Sequence, residues 1–201
     1  LILYNFYMRF ESTMPIQEGR INEVFLIGRP KFKKNTPPEV RKAIETRGSE
    51  RTGKLFGLVE KYFDGDPINP ERKFLKDLRR EVAQELGFVK PGDQAKLKVF
   101  PVVGTELDRR GADFFFSIHI PGAERAARIV GDITSAPEYE KIKRDGGLME
   151  KVIIYGDIAD AEIKGKEAYQ KTLQKYAHQF VEMAQDGSEK PASSAGGEKA
   201  A

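Results

Sequence analysis

Apolar residues recur at helical spacing through residues 70–86. At 100° per residue, Phe74, Leu75, Leu78, Val82 and Leu86 fall within one arc of roughly 120°, which predicts an amphipathic helix from Pro70 to Leu86. A second helical stripe, Tyr169, Leu173, Tyr176, Phe180 and Met183, predicts a C-terminal helix over 166–184 with a core-facing side. Between 36 and 48, Thr36 as a cap, prolines in the first turn, Val40 and Ile44 one turn apart, and Gly48 as a stop predict a short helix.

Short apolar runs supply the strand candidates. "EVFLIG" (23–28) and "KLFGLVE" (54–60) read as buried strands, and "YFDGDPINP" (62–70) as loop. "PGDQ" is a turn, "AKLKVFPVVGTEL" a strand, "DRRG" a hairpin turn and "ADFFFSIHI" the return strand. Residues 121–148 read as an irregular excursion, and "EKVIIYG" (150–156) as the last strand. Interleaved strands and helices around a hairpin predict an α/β fold, with a mixed sheet covered by helices on both faces. No internal repeat is present.

Composition narrows the class of protein. The chain has 201 residues, enough for one domain with a sizeable core. The counts of 34 Lys+Arg and 31 Asp+Glu leave a net charge of +3, so bulk charge implies no specific nucleic-acid partner. The absence of cysteine excludes a disulfide scaffold and a thiolate metal site, and fits a reducing, cytoplasmic setting. No apolar run reaches the length that spans a bilayer, so no membrane partner is expected. The two histidines, His119 and His178, are expected to be structural. The chain begins with Leu and reads either as a fragment or as starting at Met8 or Met14; 1–19 is expected to be an N-terminal extension, 20–185 the domain, and 186–201 a disordered tail poor in large apolar residues.

The chemistry of interest lies on the predicted 70–86 helix, in "RREVAQELGF" (79–88). Glu81 and Glu85 are one turn apart. The helical count puts Glu85 inside the edge of the apolar arc and Glu81 just outside it, with Asp77, Arg79, Arg80, Ala83 and Gln84 on the opposite side. Two carboxylates at i,i+4 repel, and one at a buried border costs free energy unless it is paired or holds a cation. A divalent cation between them removes both penalties, and a lysine or arginine from another element could instead neutralise Glu85.

The stretch "REVAQELGF" resembles the second half of the Nudix box, R-E-U-x-E-E-x-G-U with U apolar. Arg80, Glu81, Val82, Glu85, Gly87 and Phe88 match, and Gln84 stands where the family has the first glutamate of its pair. "GLVE" (57–60) resembles the opening Gly-x-x-Glu and "GD" (65–66) the Gly-Glu, with extra residues stretching this first half. The resemblance implies a Nudix-like α/β/α sandwich with a mixed sheet. It implies a hydrolase dependent on Mg2+ or Mn2+, cleaving a nucleoside diphosphate linked to another group. Glu85 would be a metal ligand, Glu81 a ligand or the base for water, and Glu60 with the carbonyl of Gly57 further ligands. Arg80 would pair with Asp66 or Glu71. A further acidic ligand is expected from Glu124, Glu138, Glu140 or Glu150, and Arg29 and Lys31, with Lys33 and Lys34, are candidates for phosphate contact. Gln84 and the stretched first half also fit a catalytically inactive Nudix-like domain that binds a nucleotide or a protein partner. A third reading is an unrelated α/β interaction domain whose helix happens to end in "ELG".

Overall fold

A computed structural model describes residues 23–122, 126–134 and 151–189, with the backbone alone at 187–189. The chain is a mixed α/β structure around an open four-stranded sheet. Its strands are β1 (Leu97–Pro101), β2 (Phe114–Ile118), β3 (Ala127–Thr134) and β4 (Lys151–Tyr155), adjacent in that order. β1–β2 and β2–β3 are antiparallel, and β3–β4 is parallel. Every residue of β2 is buried, as expected of a central strand covered on both sides.

Side chains alternate across a sheet, so each face has its own core. One face carries Phe114, Phe116, Ile118, Ile129, Ile133, Val152 and Ile154. It is covered by α3 (Lys73–Glu85), through Phe74, Leu78 and Val82, and by α6 (Lys166–Glu189), through Tyr169, Leu173, Tyr176 and Phe180. The other face carries Phe100, Phe115 and Val130 beneath α1 (Pro38–Glu45), α2 (Thr52–Tyr62) and α4 (Glu106–Arg109). A 3-10 turn (Pro91–Lys96) leads into β1, and α5 (Asp157–Lys164) joins β4 to α6.

The two long helices and the strands β1 and β2 lie where the apolar pattern predicts them. The strand expected over 95–107 ends at Pro101, because Thr105 caps the short helix α4 where a strand end and a tight turn are expected. Four further readings are corrected. Residues 23–26 are helical, not a strand. Residues 54–60 lie within α2, because Leu55, Phe56 and Val59 recur at helical spacing and bury one side. The supposed excursion contains β3, whose central Gly131-Asp132 interrupts the apolar signal. The helix α5 went unread. The last helix also runs to Glu189, past the expected tail boundary at 186; residues 1–19 and the rest of the tail lie outside the described residues. No helix of the described residues is long and apolar enough to cross a membrane.

Candidate functional site

The glutamates singled out by the sequence do not converge. Glu60 lies in the last turn of α2, over the face that holds Phe100 and Phe115, and its two oxygens accept from Arg128 Nε and Nη2 at 2.9 and 3.0 Å. Glu81 and Glu85 belong to α3 on the opposite face, so the sheet separates them from Glu60. Gly57 lies inside α2, where its carbonyl belongs to a helix rather than a metal-binding loop. The order of burial along α3 is also the reverse of that expected: Glu81 is buried and Glu85 exposed. The buried side is wider than the apolar arc, because Asp77, Arg79 and Ala83 are buried too. Arg79 donates to the carbonyls of Leu97 and Gln94, and the Tyr169 hydroxyl meets Asp77, so polar partners permit burial that a hydrophobic count does not register.

Gly87 and Phe88 have a structural explanation. Gly87 takes φ +73°, its N–H donates to Gln84 O, and Phe88 N–H donates to Ala83 O at 2.7 Å while its ring is buried. This pair of bonds is the Schellman ending of a helix, which favours glycine at that position. Arg80 Nε lies 3.4 Å from Glu81 Oε1, and its Nη2 lies 3.4 Å from Asp77; Arg80 pairs with neither Asp66 nor Glu71. Glu85 accepts a neighbour from α6, His178 Nδ1 at 2.5 Å. Glu124, Glu138, Glu140 and Glu150 lie outside the described residues.

Arg29 and Lys31 line a cavity of ≈ 410 Å³ together with Arg72, Asp66 and Glu71. Lys31 is bound to Glu71 at 3.0 Å in an exposed pair.

A different acidic centre forms at the β2–β3 end of the sheet. Glu23, Asp108 and Asp113 place one carboxylate oxygen each within 4.8 Å of one another, and no other such group of three occurs among the described residues. Glu23 comes from the helical segment 23–26, Asp108 from α4, and Asp113 immediately precedes β2. Loop geometry fixes two of them: Gly104 N–H donates to Asp108 Oδ2 at 2.7 Å, and Ile133 N–H to Asp113 Oδ2 at 2.6 Å. Asp113 is 3% exposed; burial, with the nearby charges of Asp132 and Glu23, pushes its carboxyl up to about 9.

Beside this centre, Lys151 Nζ at the start of β4 donates to Asp132 Oδ2 at 2.8 Å and to Gly111 O at 3.4 Å. Gly111 has φ +85°, which favours glycine at this turn, and a Cβ there would stand 2.8 Å from Lys151 Nζ, so the ammonium would have to shift. Glu106 anchors the same loop. Burial alone would raise its carboxyl, but hydrogen bonds from Arg109 and Arg110 hold it below the usual range.

Sequence reading missed Glu23, Asp108, Asp113, Asp132 and Lys151. A signal was present for three of them: "GADFFF", "IVGDIT" and "EKVIIY" each set a charge at or inside a run that must be buried, where a charge needs a partner. No family model, curated protein or solved structure matches the chain.

Proposed function

We propose that this chain is a divalent-cation-dependent hydrolase that cleaves a phosphoryl bond, a diphosphate or a phosphodiester, in a nucleotide-derived substrate. The observation that carries the reading is the convergence of Glu23, Asp108 and Asp113, with Asp132 and Lys151 alongside. An all-oxygen carboxylate set suits Mg2+ or Mn2+. Oxygens around Mg2+ lie at most about 4.2 Å apart, so the present spacing of up to 4.8 Å needs only small inward movement of the side chains.

Glu23, Asp108 and Asp113 would hold the cation, which supplies neutralisation of phosphoryl charge and a lowered pKa for bound water. Lys151, braced by Asp132 and the Gly111 carbonyl, presents a fixed ammonium beside the reacting phosphate. The cavity with Arg29, Lys31 and Arg72 is next to this centre: Val24 and Pro101 line it, Glu23 adjoins Val24, and Val102 N–H donates to Asp113 O at 2.8 Å. With Lys31 engaged by Glu71, Arg29 and Arg72 are the cations that suit the rest of a phosphorylated substrate.

The Nudix resemblance contributes the reaction class to this reading and not the site. Two of the strands on which the likeness drew are helical, and Glu60, Glu81 and Glu85 occupy opposite faces.

The test is thermal melting with and without Mg2+ or Mn2+, followed by hydrolysis assays on ADP-ribose and on duplex DNA. Metal raises the melting temperature of the wild type and of Glu85→Gln and Gln84→Glu, but not of Asp113→Asn. Metal-dependent hydrolysis of either substrate, lost in Lys151→Met, supports the enzyme. A metal-induced shift abolished by Glu85→Gln and kept by Asp113→Asn overturns the site. Metal binding without turnover of either substrate leaves a cation-binding domain and overturns the hydrolase.

A further inference from the structure

A second candidate site lies on the same sheet face as the acidic centre, at the other end of the strands. Register pairing sets Lys98 on β1, Ser117 on β2 and Arg128 on β3 in one row across three strands. Cross-strand partners share a face, so the Ser117 hydroxyl sits between two cationic neighbours. The next row, Phe100, Phe115 and Val130, is apolar and separates it from Asp113 and Asp132.

Ser117 is 9% exposed, and among the described residues no hydrogen bond reaches its hydroxyl. A buried hydroxyl without a partner is costly, and native structures rarely tolerate one without reason. This one lines a cavity of ≈ 340 Å³ shared with Lys98, Lys33, Glu60, Phe63 and Phe100. The Glu60 carboxylate in the wall is taken up by Arg128, and Lys33 Nζ at the wall donates to Lys61 O, an uncharged acceptor. Lys98 has no ion-pair partner among the described residues. Among the described residues the wall therefore keeps two ammonium groups without a carboxylate partner, a hydroxyl donor, and apolar rings beside them.

We propose that this cavity binds a small phosphate monoester, with the phosphate held by Lys98, Lys33 and the Ser117 hydroxyl and the remainder against Phe63. A dianionic phosphate has the acceptor oxygens and the charge that this donor set lacks. The site is independent of the acidic centre, and its occupant is a ligand, not the bond to be cleaved.

Isothermal titration of the full chain with AMP and with inorganic phosphate, in metal-free buffer, tests the assignment. AMP binds, and phosphate competes with it. Ser117→Ala and Lys98→Ala each weaken AMP by about tenfold, the loss of one hydrogen bond to a charged group. Because Ser117 gives up no hydrogen bond within the protein, Ser117→Ala melts no lower than the wild type, so weakened binding is not a folding defect. Asp113→Asn leaves the affinity unchanged. No binding of AMP or phosphate, or binding that is indifferent to Ser117→Ala and Lys98→Ala, overturns the proposal.

Discussion

Lys151 and Asp132 join β4 to β3 by a buried ion pair, Nζ to Oδ2 at 2.8 Å, with the two side chains 10% and 5% exposed. The parallel register places Lys151 beside Val130, so the lysine reaches diagonally, two residues on, to the aspartate. The sheet thus carries a charge pair beside the apolar row of Phe100, Phe115 and Val130.

Removing one partner leaves the other charge buried. Lys151→Met is expected to destabilise the chain by about 3 kcal/mol. The double variant Asp132→Asn/Lys151→Met recovers much of that loss, with a coupling of about 1–3 kcal/mol. Urea unfolding of the two single variants and the double variant measures it; additive single effects would mean that the pair is not the source of the cost.

The helices were legible where an apolar stripe ran long. Phe74 to Val82 and Tyr169 to Phe180 bury as their spacing requires. Short runs were ambiguous, because "KLFGLVE" is compatible with a strand by composition and with a helix by the spacing of Leu55, Phe56 and Val59. The site was mostly illegible for a different reason. Asp113 directly precedes β2, Asp132 lies in β3 and Lys151 in β4, and Glu23 and Asp108 belong to two further segments, so only the assembled sheet brings them together. Glu81 and Glu85 advertised themselves by local spacing, yet Glu85 is met by His178 from 93 residues away. Local sequence contains neither of these pairings.

Gly131 and Phe114 face one another across β2 and β3. A Cβ at Gly131 would collide with the Phe114 ring, which is fully buried against Phe74, Phe116 and Phe180. Gly131→Ala is therefore expected to cost about 2 kcal/mol by overpacking. Adding Phe114→Leu to Gly131→Ala relieves the collision, so the double variant is more stable than the sum of the single effects, as denaturant midpoints can report. A sum that holds would show that the strands part freely at this point.

Glu106 gives the loop of Asp108 and Asp113 a pH dependence. Its folded-state carboxyl is held below the ordinary value of 4.5 by Arg109 and Arg110, against the effect of burial. A depressed carboxylate contributes stability above its unfolded pKa, and that contribution is lost as pH falls through the folded value. Glu106→Gln should lower stability by about 2 kcal/mol at neutral pH, and the gap should close in acid. The comparison is an unfolding series across pH; a gap of equal size at every pH would assign the loss to packing instead of charge.

His178 gives the α3–α6 contact the opposite dependence. Its imidazole accepts company from two carboxylates, Glu85 at Nδ1 and Glu182 at Nε2, 2.5 and 3.3 Å away. The hydrogen bond to Glu85 and the charges of both glutamates raise its pKa above the ordinary 6.5. A raised histidine contributes stability that is complete below the unfolded pKa and is lost as pH rises through the folded one. His178→Gln should therefore melt lower than the wild type under mildly acidic conditions and match it in alkali. The ring is exposed, so salt screens the pair and the acidic difference should shrink at high ionic strength. Glu85→Gln should reproduce the same pH profile, because it removes the principal cause of the shift. Melting curves across pH and salt for both variants are the measurement. A Glu85→Gln profile that is flat in pH would remove Glu85 from the pair and return it to consideration as a metal ligand.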